Sequence, residues 1–150
     1  MTFARFLRTF GFLKEVPLLP WLVDGVMQVH TALFRSVVAR AIDDVEREVV
    51  SWPGVSIGLH KYGGLQFNLG HQELGHIHGN GLADLCYCRR HKAALLASGL
   101  AADHHTLPHS GWMSCWMRRE ADAAKVIYLF RQVYEWRSTS FGAAQRPFTG

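Results

Sequence analysis

A carboxylate and two imidazoles lie within one short segment, Glu73-Leu74-Gly75-His76-Ile77-His78. Its alternating pattern predicts a β-strand, in which side chains two positions apart leave the same face. His76 and His78 are therefore expected to point at one place, and Glu73 joins them if a bulge at Gly75 shifts the alternation. Because histidine titrates near neutral pH, this pair suits proton transfer or metal binding.

Three uses of the histidine pair remain open from the residues alone. In the first, one imidazole is a general base, the other hydrogen-bonds the resulting anion, and Glu73 fixes a tautomer. In the second, the pair binds iron or zinc, with His105 or Asp84 as a further ligand. In the third, His76, His78 and His105 form a buried hydrogen-bond network that binds no substrate.

The remaining histidines and the three cysteines are not expected to belong to a functional site. His104 is expected in a surface loop, and so is His109. Four more histidines are expected to be solvated or partly packed: His30, His60, His71 and His91. The three cysteines form no C-x-x-C pair, which favours free thiols in a reducing compartment. Cys86 and Cys88 share a strand face and could bind a soft metal, but small apolar residues near a core need no such role.

Composition and charge narrow the class of protein. The chain has 150 residues, of which 49% are hydrophobic, enough for one domain with its own core. Its formal net charge is only +4 and its basic residues are scattered, so no nucleic-acid partner is expected. The composition gives no indication of the oligomeric state.

Residues 1–50 are predicted to form a helical segment that packs on the domain. The spacing of Phe3, Phe6, Leu7 and Phe10 predicts a short amphipathic helix. The apolar run from Val16 to Phe34 is interrupted too often for a spanning helix, which needs about 20 apolar residues. No cleaved signal peptide is expected either. These features predict a cytoplasmic protein, with peripheral membrane contact through residues 1–34 as an open alternative.

After Trp52-Pro53-Gly54 the periodicity changes from helical to extended. Strands are predicted at Val55–His60, Leu65–Leu69, Glu73–His78, Ala83–Tyr87 and Trp112–Met117, and helices at Arg89–Ser98 and Ala121–Trp136. Because the strands are grouped between helices, the expected fold is α+β, an antiparallel β-sheet packed by helices with a long helical N-terminal segment. The domain is expected at residues 51–136, followed by a mobile tail at 137–150.

The order of several short motifs resembles the fungal luciferase domain family. The motifs are Gly54-Val55, Gly63-Gly64, Glu73 to Gly79, Asp84-Leu85 and Ser110-Gly111-Trp112. The resemblance runs from about Val50 to Trp136. That family includes the luciferases of glowing fungi and many short bacterial and fungal relatives. The chain departs from the luminous members at one position, where Asp84 stands in place of a further histidine.

The resemblance implies an oxygenase that needs no cofactor. The luminous members add dioxygen to a hydroxylated styrylpyrone and release carbon dioxide and light. By this resemblance the partners are dioxygen and an enolic aromatic or pyrone-like small molecule. The expected catalytic residues are His76, His78, Glu73 and His105. If a metal ion is bound, His76, His78 and His105 are its expected ligands.

Four further residues are expected to contact the substrate: Trp112, Asp84, Phe67 and Tyr62. The aromatic members of this group would form a dry wall for a planar ligand. A non-catalytic module that binds a ligand or a protein is the alternative function. A deep pocket above the histidine pair would favour the enzyme. A filled sheet face beside an exposed apolar helical patch from Phe3 to Phe34 would favour the module.

Overall fold

The computed structural model describes residues 18–34 and 36–144. Within these residues it contains four helices and six strands: α1 (Leu19–Phe34), α2 (Ser36–Val50), β1 (Val55–Leu59), β2 (Leu65–Leu69), β3 (Gln72–Ile77), β4 (Leu82–Cys86), α3 (Arg89–Ala97), β5 (Ala102–Asp103), β6 (Trp112–Trp116) and α4 (Asp122–Ala144). The amphipathic helix predicted at Phe3 to Phe10 lies outside the described residues. Within the described part of the chain, no helix is long and apolar enough to cross a membrane.

All six strands form one antiparallel sheet in the order β1-β2-β3-β4-β6-β5. This arrangement confirms the predicted α+β class. The turn between β1 and β2 contains Gly63 and Gly64, whose φ angles of 87° and 96° favour glycine. The two-residue strand β5 was not predicted, because a pair of residues shows no periodicity.

One face of the sheet packs against α2 and α4 to form the hydrophobic core. Helix α2 contributes Val38, Ala41, Val45 and Val49, whose spacing places them on one side of the helix. From the sheet and α4, the largest fully buried side chains include Phe67 and Phe130. The opposite sheet face is left for polar side chains.

A bulge in β3 decides which side chains reach that polar face. The register between β2 and β3 shifts at Phe67, which pairs with Gly75, while Asn68 pairs with Glu73. Leu74 is therefore the extra residue, and it is buried in the core. Glu73 and His76 consequently leave the same face although they are three positions apart. A bulge at Gly75 was the condition for Glu73 to join the histidines, and the structure has the bulge at the neighbouring residue, Leu74.

Helix α1 packs closely against two turns of the sheet, and a glycine stands at each point of contact. A Cβ atom at Gly63 would lie 2.5 Å from Cβ of Asp24, and one at Gly79 would lie 2.4 Å from Cγ of Gln28. Only glycine therefore allows α1 to approach this closely. Trp21 adds a hydrogen bond from Nε1 to the backbone oxygen of His60, 3.0 Å away.

Helix α4 ends later than predicted. It continues to Ala144 rather than ending near Trp136, so residues 137–144, predicted as an irregular tail, are helical. Arg137 helps to hold this extension against the sheet, since its guanidinium donates hydrogen bonds to Gln72 at 3.3 Å and to the Cys86 thiol at 3.7 Å.

Candidate functional site

Three imidazoles surround one buried carboxylate on the polar face of the sheet. Oδ2 of Asp84 lies 3.7 Å from Nε2 of His76, 3.6 Å from Nε2 of His78 and 3.7 Å from Nε2 of His104. The Asp84 side chain is fully buried. We refer to these four residues as the histidine–aspartate cluster.

Strand pairing brings most of the cluster together. Asp84 of β4 lies directly opposite His76 on one side and Ser114 of β6 on the other. Paired residues in a sheet share a face, so all three side chains meet on the polar side. The Ser114 hydroxyl donates a hydrogen bond to Oδ1 of Asp84. His78 follows β3, and His104 follows the short strand β5.

The Glu73 carboxylate determines the orientation and tautomer of His76. Its Oε1 lies 2.7 Å from Nδ1 of His76. An ionised carboxylate only accepts hydrogen bonds, so Nδ1 carries the hydrogen and Nε2 of neutral His76 presents a lone pair toward Asp84. The ring of His60 stacks on that of His76, with centroids 3.7 Å apart and planes 10° from parallel.

The carboxylate of Asp24 lies near the other ring nitrogen of His78, Nδ1. Asp24 of α1 is buried, and its Oδ1 lies 3.9 Å from Nδ1 of His78. That oxygen accepts a hydrogen bond from the backbone N–H of Gly79 at 3.0 Å, and the other accepts one from Gln28 at 2.8 Å. These two bonds hold Asp24 in place. Helix α1 thus contributes to the environment of the cluster.

His104 has the opposite tautomer to His76. Its Nδ1 accepts hydrogen bonds from the backbone N–H groups of Thr106 and Leu107, each at 3.2 Å. The hydrogen of neutral His104 therefore resides on Nε2, which faces Asp84. His104 is 7% exposed, so its predicted surface position is wrong. His60, predicted to be solvated or partly packed, is 6% exposed.

Burial governs the protonation of these groups. It lowers the pKa of His104 to about 4, against the opposing effect of Asp84. Burial, followed by the charge of His76, lowers the pKa of His60 to about 4 as well. Burial alone would raise the pKa of Asp84, but its interactions with His78 and Ser114 and the nearby imidazole charges outweigh that effect and lower it. At neutral pH an ionised Asp84 carboxylate therefore lies beside a neutral His104.

The structure brings most of the predicted site residues together. His105 joins the cluster, since its ligand atom and those of Asp84 and His104 lie within 4.8 Å of one another. The Trp112 ring is 5.4 Å from that of His76, and Tyr62 is 5.5 Å from His60. One predicted wall residue, Phe67, lies elsewhere.

Phe67 belongs to the hydrophobic core on the other face of the sheet. Its side chain is fully buried there, with its ring centroid 5.0 Å from that of Phe130. It therefore does not line the cluster. The reason is strand alternation, because Phe67 pairs with the core-facing Gly75 rather than with a residue of the polar face.

Three residues near the cluster were not predicted as site residues: His60, His104 and Asp24. The two histidines come directly after β1 and β5. Outside a strand the alternation ends, so sequence periodicity does not predict which way their side chains point. Asp24 did leave a signal, because it is the only carboxylate in the mostly apolar helix α1. A lone carboxylate that must be buried with an apolar helix usually has a partner.

Within the described residues, the cluster is closed rather than set in a deep pocket. His76 is 6% exposed, and the half-buried Trp112 lies against it. A cavity of about 300 Å³ between α1, α2 and the sheet reaches the cluster only at His78, whose side chain is 15% exposed. A ligand that reaches Asp84 must therefore enter beside His78 or displace a covering group.

Comparison with known proteins agrees with the motifs. Residues 71–132 match the family model described as Luciferase domain. No curated protein and no solved structure matches the chain. The matched segment contains the whole histidine–aspartate cluster together with Glu73, His105 and Trp112. This match shows that residues 71–132 are similar to the luciferase domain.

Proposed function

We propose that this protein is a small-molecule oxygenase that adds dioxygen to an enolic aromatic or pyrone-like compound at the histidine–aspartate cluster. The similarity of residues 71–132 to the luciferase domain supports the general class of chemistry. The observation that carries the proposal is the short contact of 2.7 Å between Glu73 and His76, which presents the Nε2 lone pair to a buried site. Such a lone pair is what activation of an enol requires.

The reaction begins with loss of the enol proton. The enolate carbon then forms a bond to one oxygen atom of dioxygen, and its electrons reduce dioxygen to a peroxide. The proton released by the enol ends on the peroxide or in water. This step balances with substrate and dioxygen alone, so no external reductant is needed. The site must therefore favour the enolate and keep bulk water away from it.

The lone pair of His76 can favour the enolate in two ways. It can accept the enol proton directly, as a general base, or it can bind a metal ion that lowers the pKa of the enol. Both uses depend on the Glu73 contact. We propose that the substrate enters beside His78, the most exposed member of the cluster, and packs its flat face against Trp112.

Replacing His76 tests this proposal. The assay is dioxygen consumption with a hydroxypyrone as substrate, measured beside the melting temperature of each protein. We expect His76→Gln to lower turnover by about 10²–10⁴-fold with little change in melting temperature. The matched control is His71→Gln, which changes an exposed histidine of the same family segment and should preserve both quantities. Full activity of His76→Gln with a lowered melting temperature would contradict the catalytic role of His76 and leave it a purely structural one.

A second candidate function, binding without catalysis, is favoured by the closed histidine–aspartate cluster and by the outer surface of α1. Six large apolar side chains there are between 47% and 71% exposed: Leu18, Trp21, Leu22, Val26, Val29 and Leu33. A continuous apolar surface of this kind usually covers or contacts something. We propose peripheral contact with a membrane surface, while the protein itself remains cytoplasmic.

Vesicle sedimentation tests the membrane contact. Wild-type protein should sediment with vesicles that contain anionic lipid, and the double variant Leu22→Ser, Val26→Ser should remain in solution because two of the most exposed apolar side chains are lost. Equal sedimentation of both proteins would argue against α1 as the contact surface.

A further inference from the structure

The distances inside the histidine–aspartate cluster are unusual for hydrogen bonds. Three Nε2 atoms lie 3.6–3.7 Å from one carboxylate oxygen, whereas N–H···O bonds span about 2.7–3.2 Å. Ligand atoms that share one metal ion at about 2.0–2.2 Å in a tetrahedral arrangement are about 3.3–3.6 Å apart. The spacing is therefore close to that of ligands around an ion.

Oδ2 of Asp84 is itself an unsatisfied atom. It is buried and has no hydrogen-bond partner, while Oδ1 accepts the bond from Ser114. Within the described part of the chain, the ion-pair partners of Asp84 are three histidines and include no lysine or arginine. A buried carboxylate oxygen in this state is unfavourable unless a cation or a donor reaches it.

Nε2 of His76 and Oδ2 of Asp84 are both hydrogen-bond acceptors, and they lie opposite each other. Because the Glu73 contact places the hydrogen on Nδ1, the Nε2 lone pair of His76 points at a carboxylate oxygen 3.7 Å away. Lone pairs directed at each other repel unless a positive charge lies between them. A metal ion at this point would bind both.

From this geometry we infer that the cluster binds one divalent transition-metal ion through Nε2 of His76, Nε2 of His78 and Oδ2 of Asp84. Two histidines and one carboxylate are the protein ligands both of tetrahedral zinc sites and of the facial triad of non-haem iron oxygenases, and three protein ligands leave at least one position open on the ion. The metal site stands on its own geometry, but its use in catalysis rests on the proposed function.

The surroundings of the ligands fit this assignment. A histidine that binds a metal usually directs its other ring nitrogen to a carboxylate, backbone carbonyl or water. Glu73 occupies that place at 2.7 Å from His76, and Asp24 stands at 3.9 Å from His78. Both carboxylates are outside the ligand set and would orient the imidazoles within it.

His104 is excluded from the ligand set by its tautomer. Two backbone N–H groups donate to its Nδ1, so Nε2 carries the hydrogen and directs it toward Asp84. His104 therefore lies beside the ligand set without belonging to it. His105, expected as a ligand with His76 and His78, is replaced by Asp84 in this assignment.

The metal would serve the oxygenation through its charge. An enol oxygen that binds at an open position loses its proton more readily, as water does when bound to zinc. In this form the two histidines act as ligands, and neither needs to accept the proton. The balance of the oxygenation itself is unchanged.

Cobalt(II) is a suitable probe, because its visible absorption reports coordination. The full chain is stripped with a chelator, dialysed and titrated with Co²⁺. We expect one ion per chain and a melting temperature about 5–10 °C higher at a free concentration of 100 times Kd. His78→Gln should weaken binding by more than 100-fold. His104→Asn should preserve the stoichiometry and the visible spectrum, and His71→Gln should match the wild type.

The outcomes separate the metal site from the proposed function. A folded wild-type protein that binds no Co²⁺ at millimolar concentration would overturn the metal site, and turnover by the chelated protein would then still support the oxygenase. Stoichiometric binding that His78→Gln abolishes and His104→Asn preserves would support the site. If no loaded form, including the Fe²⁺ form under air, consumes dioxygen with a hydroxypyrone, the site stands and the proposed function fails.

Discussion

Acid should destabilise the metal-free protein well before its carboxylates titrate. His60 and His104 each have a pKa of about 4 in the folded protein because they are buried, compared with 6.5 as the ordinary value. Between these two values the unfolded chain binds protons that the folded protein does not. Stability is therefore fully present above pH 6.5 and is lost as the pH falls toward 4.

The size of the effect follows from the width of this window. Each histidine contributes a slope of at most about 1.4 kcal/mol per pH unit, or at most about 3 kcal/mol across the window of about 2.5 pH units. A small domain is stable by only about 5–15 kcal/mol, so two such groups account for much of its acid sensitivity. Urea unfolding of the chelated protein at pH 7.5, 6.5, 5.5 and 4.5 measures the slope directly.

His104→Asn provides the matched variant. The asparagine oxygen can accept the backbone hydrogen bonds that Nδ1 of His104 accepts, but the side chain does not titrate. The variant should lose about half of the slope between pH 6.5 and 4.5, whereas the exposed control His71→Asn should retain it. Equal slopes for wild type and His104→Asn would show that His104 does not titrate as its burial requires.

Two further predictions concern the bulge and the Glu73 contact. Gly75→Ala should lower the free energy of unfolding by about 1–3 kcal/mol in thermal unfolding, because the new Cβ would lie 2.5 Å from the backbone oxygen of Asp84. The control is Gly58→Ala, which should have a much smaller effect because no atom lies within 4 Å of its Cβ position. Similar losses of stability in both variants would contradict the packing argument. Glu73→Gln should weaken Co²⁺ binding by about 10–100-fold in the titration, since it removes the charge that orients His76. Unchanged affinity would remove Glu73 from the metal site.

Local patterns predicted the sheet well, because each strand carries its own alternation. The bounds of β1 to β4, α3 and β6 agree with the predictions to within one residue. The bulge could also be anticipated, since Glu73 and His76 share a face only if the alternation shifts near Gly75. These features depend on neighbours in the chain, and sequence periodicity reports such neighbours directly.

The candidate site was only partly predictable, because half of it depends on tertiary packing. The strand residues His76 and His78 were found from their spacing alone. His60 and His104 are placed by loops that fold over the sheet, and their burial depends on contacts far along the chain. Asp84 was noticed through the family resemblance, but its central position follows from the pairing of β4 with both β3 and β6.

Helix α1 has one side on the outside of the protein and the other beside the histidine–aspartate cluster. One side of it exposes Leu22 and Val26, while the other carries Asp24 against Gly79 and His78. A displacement by one helical turn would move Asp24 by about 5.4 Å, far beyond its present contacts. A membrane or protein that binds the outer surface of α1 and displaces this helix would thus change the surroundings of His78. A fragment limited to residues 71–132 lacks α1 and would not respond in this way.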